Sequence, residues 1–92
     1  MKQTRMRVLI EGRLQAMNFR FQTQKEATKL NLTGFIRTLA DGRFEIEAQG
    51  DQVDLEKLLA WCQKEPHSSQ IKSILYRFEE NVNERYPDFS VR

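Results

Sequence analysis

Between Glu11 and Arg20 the chain reads Glu-Gly-Arg-Leu-Gln-Ala-Met-Asn-Phe-Arg, leaving an alternating strand pattern and entering a helical one. Amides at such a bend belong to the first turn of a helix, where four N–H groups lack intrahelical acceptors and the helix dipole adds partial positive charge. A phosphate or carboxylate is the natural occupant. Arg20 adds a planar, permanently charged fork, and a cation at a helix start opposes the dipole unless an anion is bound there. The anion-binding candidates are therefore Gln15, Ala16, Met17, Asn18, Phe19 and Arg20.

Other chemistry-bearing residues read as structural. Cys62 falls on the apolar stripe of a helical pattern, which makes it a core thiol rather than a nucleophile. Trp61 beside it packs at the helix edge. His67 follows Pro66 in a loop with no base or nucleophile nearby in sequence, so it is expected to be exposed and inert. Glu45 and Glu47 have the period-two spacing of a solvated strand face, not of a catalytic carboxylate pair. Arg13 and Arg37 read as surface charges.

These groups are positioned by a short chain. Its 92 residues, 39% hydrophobic, suffice for one core, so residues 1–92 are read as a single domain. The net charge of +2 hides an asymmetry: residues 1–43 carry nine Lys and Arg against three Asp and Glu, whereas 44–92 carry six against ten. Basic residues thus gather in the half that holds the candidate site, which favours small anionic ligands. The lone cysteine offers neither an intrachain disulfide nor a cysteine zinc site, consistent with a reducing compartment, and the cytoplasm is expected. No apolar run approaches the roughly 20 residues of a membrane span, and the polar start Met1–Arg5 lacks a secretory apolar region.

Periodicity supplies the elements. Met6, Val8 and Ile10 alternate with Arg5, Arg7, Leu9 and Glu11 as a half-buried strand. Phe19, Thr23, Ala27 and Leu30 share one face of a helix over residues 20–31, closed by a left-handed Asn31 or Gly34. Phe35–Arg37 starts a second strand, Asp41-Gly42 makes a hairpin turn, and Phe44, Ile46 and Ala48 face one side of a third. Leu55, Leu58, Leu59 and Cys62 form the stripe of a second helix, ended before Pro66. Ile74, Tyr76 and Phe78 alternate in a fourth strand, residues 79–85 read as a polar loop, and Phe89–Val91 as a short last strand. The order predicts an α+β ferredoxin-like two-layer sandwich: two helices on one face of a mainly antiparallel four- to five-stranded sheet whose other face is partly wet.

With Gly12-Arg-Leu-Gln15 followed by Phe19-Arg20, then Leu32–Arg37, Asp41-Gly42 and a closing Phe89–Arg92, the sequence resembles the acylphosphatases over essentially its whole length. The resemblance implies a small cytosolic hydrolase, monomeric and free of cofactor and metal, that splits acyl phosphates into carboxylate and inorganic phosphate. In that family the loop backbone and the arginine after the phenylalanine hold the phosphoryl group, and Arg20 matches that arginine. An asparagine on the second strand positions the attacking water. Thr38 stands in its place here. A carboxamide can accept from water while donating to a phosphoryl oxygen, whereas one hydroxyl on a shorter stem does part of this. Losing such a contact costs on the order of 3 kcal/mol, about a hundredfold in rate. The implied catalytic pair is thus Arg20 and Thr38, with weak activity.

The loop departs too, with Ala16 and Asn18 where the family commonly has glycine or another small residue. If position 16 needs a positive φ, alanine costs roughly 1 kcal/mol there; Asn18 tolerates one better, and its carboxamide is a candidate to replace the missing asparagine. The alternative reading is a noncatalytic relative that binds phosphate, other anions or a protein partner. RNA binding by the open sheet face is opposed by Glu45 and Glu47, so neither nucleic acid nor membrane is expected as a partner.

Overall fold

Strict alternation builds β1 (Gln3–Gly12), with Met6, Val8 and Ile10 fully buried on one face. The structure, a computed structural model, describes residues 3–92, so Met1 and Lys2 of the polar start lie outside the described residues. After β1 come α1 (Phe19–Lys29), β2 (Thr33–Thr38), β3 (Phe44–Gly50), α2 (Gln52–Cys62), β4 (Ile71–Val82) and β5 (Phe89–Val91). The sheet runs β4-β1-β3-β2-β5, antiparallel throughout except for the parallel β2–β5 pair. This is the ferredoxin-like α+β arrangement that the element order predicts. No helix among the described residues is long and apolar enough to cross a membrane.

Both helices lie on the face that carries Met6, Val8, Ile36, Phe44 and Ile46. Phe19, Thr23 and Ala27 of α1 and Leu55, Leu58, Leu59 and Cys62 of α2 close the core against it. Each large apolar side chain taken fully from water there contributes roughly 1.5–3 kcal/mol. Asn31, not Gly34, ends α1: it adopts φ 60°, and the Leu32 and Asn31 amides return to the carbonyls of Ala27 (2.9 Å) and Thr28 (3.0 Å). That paired closure is the Schellman arrangement. Gly34 serves differently, lying inside β2 at φ 132° where a β-carbon would run into the Glu47 carbonyl. The predicted hairpin forms with positive φ at Gly42 alone (91°), while Asp41 Oδ1 accepts from the Arg43 amide at 3.0 Å.

Two expectations need correction. Residues 79–82 continue β4, because the Cα pairing with β1 runs on to Gln3 opposite Val82, so the polar connection begins only at Asn83. The outer sheet face is also less wet than alternation suggests. Glu45 is 3% exposed and holds Arg37 (2.6 Å) and Arg7 (2.7 Å) from the flanking strands. Burial pushes its carboxyl up, but hydrogen bonds and charge from Arg7 and Arg37 outweigh this and leave it below the ordinary carboxylate range. Glu47 accepts from the Tyr86 hydroxyl and lies 4.0 Å from Arg5. Arg37, read as a surface charge, is half-exposed yet ion-paired. Neighbouring strands bring arginines to both carboxylates, which alternation along one strand cannot reveal.

Candidate anion-binding site

The site follows directly from the end of β1. There the Arg13 amide donates to the Gln70 carbonyl at 3.0 Å, and fully buried Leu14 fixes the chain to the core. A short 3-10 turn, Gln15–Met17, comes next, closed by Met17 N–H to Leu14 O and Asn18 N–H to Gln15 O, each 3.1 Å. Asn18 then takes a left-handed conformation (φ 56°, ψ 37°), and α1 begins. Ala16 is not left-handed, so the position of concern is Asn18 instead, a residue type that accepts this conformation with little strain. The Gln22 side-chain amide reaches back to the Met17 carbonyl at 2.9 Å and latches the bend. Nothing in the sequence spacing flags Gln22 for that task.

Gln15, Asn18, Phe19, Arg20 and Phe44 line a recess of about 90 Å³ at this bend. Met17 and Asn18 have spent their amides on the turn, whereas those of Gln15, Ala16, Phe19 and Arg20 have no acceptor among the described residues. The Asn18 side chain does not cap α1, which leaves its carboxamide uncommitted. Arg20 is exposed, with its guanidinium carbon 5.9 Å from the Phe21 ring centroid and no ion-pair partner among the described residues. Three of the residues with free amides, Gln15, Phe19 and Arg20, line the recess, and Ala16 lies next to Gln15 in the turn. Met17 is set back, packed against the core.

Thr38 closes β2 and is exposed. Its ladder partner is Phe44, which puts it on the helix-side face next to a lining residue, but Thr38 itself does not line the recess. Phe44 had no signal in the sequence beyond its place in an apolar alternation.

An aromatic cluster backs the recess. Phe19, 1% exposed, meets Phe44 edge-on at 5.5 Å and stacks on Trp61 at 5.8 Å. His67 corrects the expectation of an exposed loop residue: it is 4% exposed, edge-on to Phe19 at 5.3 Å, with Nδ1 donating to the Trp61 carbonyl at 3.0 Å. The turn after α2 folds its ring under the helix α1 start, a contact between segments 48 residues apart in number and invisible to local reading. Cys62 is fully buried, and burial pushes its thiol up to about 12, so it stays protonated and unreactive.

The family model described as Acylphosphatase matches residues 6–91. An acylphosphatase of Methylococcus capsulatus is 37% identical over 87 residues, covering 95% of this chain and 94% of the relative. The crystal structure of acylphosphatase from Bacillus subtilis superposes with a TM-score of 0.85 at 26% identity, covering 97% of this chain and 98% of that one. The structure of an acylphosphatase from Coxiella burnetii gives 0.81 at 32% identity, covering 99% of this chain and 94% of that one.

Proposed function

This chain belongs to the acylphosphatase family, and we propose that it hydrolyses small acyl phosphates to a carboxylate and inorganic phosphate, slowly, at the bend after β1. The observation that carries this reading is the recess lined by Gln15, Asn18, Phe19, Arg20 and Phe44, with four unspent amides beside it. In this reading the Gln15, Ala16, Phe19 and Arg20 amides and the Arg20 guanidinium hold the phosphoryl oxygens. A water oxygen bonds to phosphorus as the bond from phosphorus to the acyl oxygen breaks. Both electrons of that bond leave with the carboxylate, and the water's protons pass to phosphate and solvent. Phosphoryl transfer depends mainly on positioning and charge stabilisation, which amides and a guanidinium supply. A carboxylate is a good leaving group and needs no proton from an acid.

Orienting the water is the weak step. Thr38 stands outside the recess, while the uncommitted Asn18 carboxamide lines it, so we assign Asn18 the larger share of this task. The same observation favours a second reading, in which the site holds phosphate without turnover. Phosphate release from acetyl phosphate by the purified chain separates them. Turnover that Arg20→Ala abolishes supports hydrolysis at this bend; phosphate binding with no turnover above background supports the noncatalytic reading.

A further inference from the structure

Among the described residues, the chain covers one half of the sheet's outer face. There the segment 83–88 lies across it: Gln49 donates to the Glu84 carbonyl, Tyr86 donates to Glu47, and the Tyr86 ring sits edge-on to Phe35 at 5.9 Å. Arg5 lies 3.9 Å from the Glu84 carboxylate and 5.6 Å from the Tyr86 ring. An irregular stretch that carries an acid and an aromatic ring is thus what this arginine-bearing surface already accepts from its own chain.

The other half also carries arginines, and none of the described residues is laid over it. Leu9, Leu39 and Leu75 form part of an open groove of about 550 Å³, and Leu75 is 63% exposed. Arg7, Arg37, Arg43 and Arg77 also line it; Glu45 is divided between Arg7 and Arg37, and Arg43 is held by Asp41 at 2.8 Å, so two carboxylates face four arginines. Arg77 pairs directly with Arg7 across the β1–β4 ladder and has no carboxylate in ion-pair reach among the described residues. Like charges placed opposite one another in a ladder are unfavourable unless an anion offsets them.

We propose that this groove docks an acidic segment of a partner protein that carries a leucine or aromatic residue. The carboxylates meet Arg77 first, with the part-exposed Arg7 and Arg43 beside it, the apolar side chain sits on Leu9 and Leu75, and the segment continues the surface that residues 83–88 begin. Single-stranded RNA fits worse, because the groove offers three leucines and one ring, Tyr76, where base stacking needs several rings.

The test is an amide-shift NMR titration of the full chain with the blocked peptide Glu-Asp-Leu-Tyr-Glu-Glu at physiological ionic strength. Saturable shifts are expected at Leu9, Arg37, Leu39, Leu75 and Arg77, weakened at least about tenfold by Arg77→Glu and by Leu75→Ser. Both substitutions fall on exposed positions outside the candidate hydrolytic site, so native spectra and any acyl phosphate turnover should be unchanged. A peptide with Ser for Leu and Tyr should bind at least about fivefold more weakly. No saturation by about 1 mM peptide overturns the proposal. So do shifts confined to residues 15–20, equal binding of the Ser peptide, tighter binding of oligouridine, or self-association of the chain through this face.

Discussion

Phe44 meets Phe19 edge-on at 5.5 Å with the ring planes 68° apart, and both rings line the recess at the start of α1. One strand residue and one helix residue thereby couple the packing of the core to the shape of the candidate anion site. Phe44→Ala is expected to cost about 4 kcal/mol in denaturant unfolding and to weaken phosphate binding, since the cavity it leaves opens directly beneath the loop. Unchanged phosphate affinity in the folded variant would show that the loop holds its shape without the ring.

Thr38→Asn should raise acyl phosphate turnover, because a longer stem and a carboxamide on the Phe44-paired position reach further toward the lining residues. Asn18→Gly should lower turnover in the parent chain and matter less in the Thr38→Asn background. The double-mutant cycle measures this coupling, and purely additive effects would assign the two positions independent roles.

Glu45 makes stability depend on acid. Its carboxyl lies below the ordinary range in the folded chain, so its contribution is complete above the unfolded value of about 4.3 and is lost as pH falls through the lower folded value. Glu45→Gln should cost about 1 kcal/mol near neutral pH, with both arginine partners too exposed for more, and should flatten the acid limb of the stability curve. Urea melts of both proteins between about pH 3 and 7 test this.

Thr23 is fully buried on the core face of α1, and its hydroxyl oxygen has no hydrogen-bond partner among the described residues. Thr23→Val keeps the branched shape and removes an unsatisfied polar atom, so it should stabilise the fold by about 1 kcal/mol. A loss of stability would mean that the hydroxyl finds a partner in solution.

The elements were legible because each buried face follows from local period. Met6, Val8 and Ile10 needed only alternation, and Leu55, Leu58, Leu59 and Cys62 only helical spacing. The bend at residues 12–20 was legible as a strand-to-helix junction, and Asn18 as its most tolerant member. What stayed hidden depends on which strands become neighbours. Glu45 reads as solvated until β1 and β2 flank β3 and deliver Arg7 and Arg37. His67 reads as a free loop residue until the turn after α2 meets Phe19. That Thr38 stands back from the recess depends on a β2–β3 register that no motif encodes.

The parallel β2–β5 pairing has a kinetic consequence. The Gly34 amide donates to the Asp88 carbonyl at 2.9 Å. Gln24 on α1 donates to the Phe89 carbonyl at 3.0 Å, so the helix that presents Arg20 is secured by a residue synthesised 65 positions later. Closing so long a span is slow relative to forming the helix itself. Anion affinity should therefore be among the last properties to appear during refolding, well after helical signal, and a time course of phosphate binding would report completion of the molecule rather than its collapse.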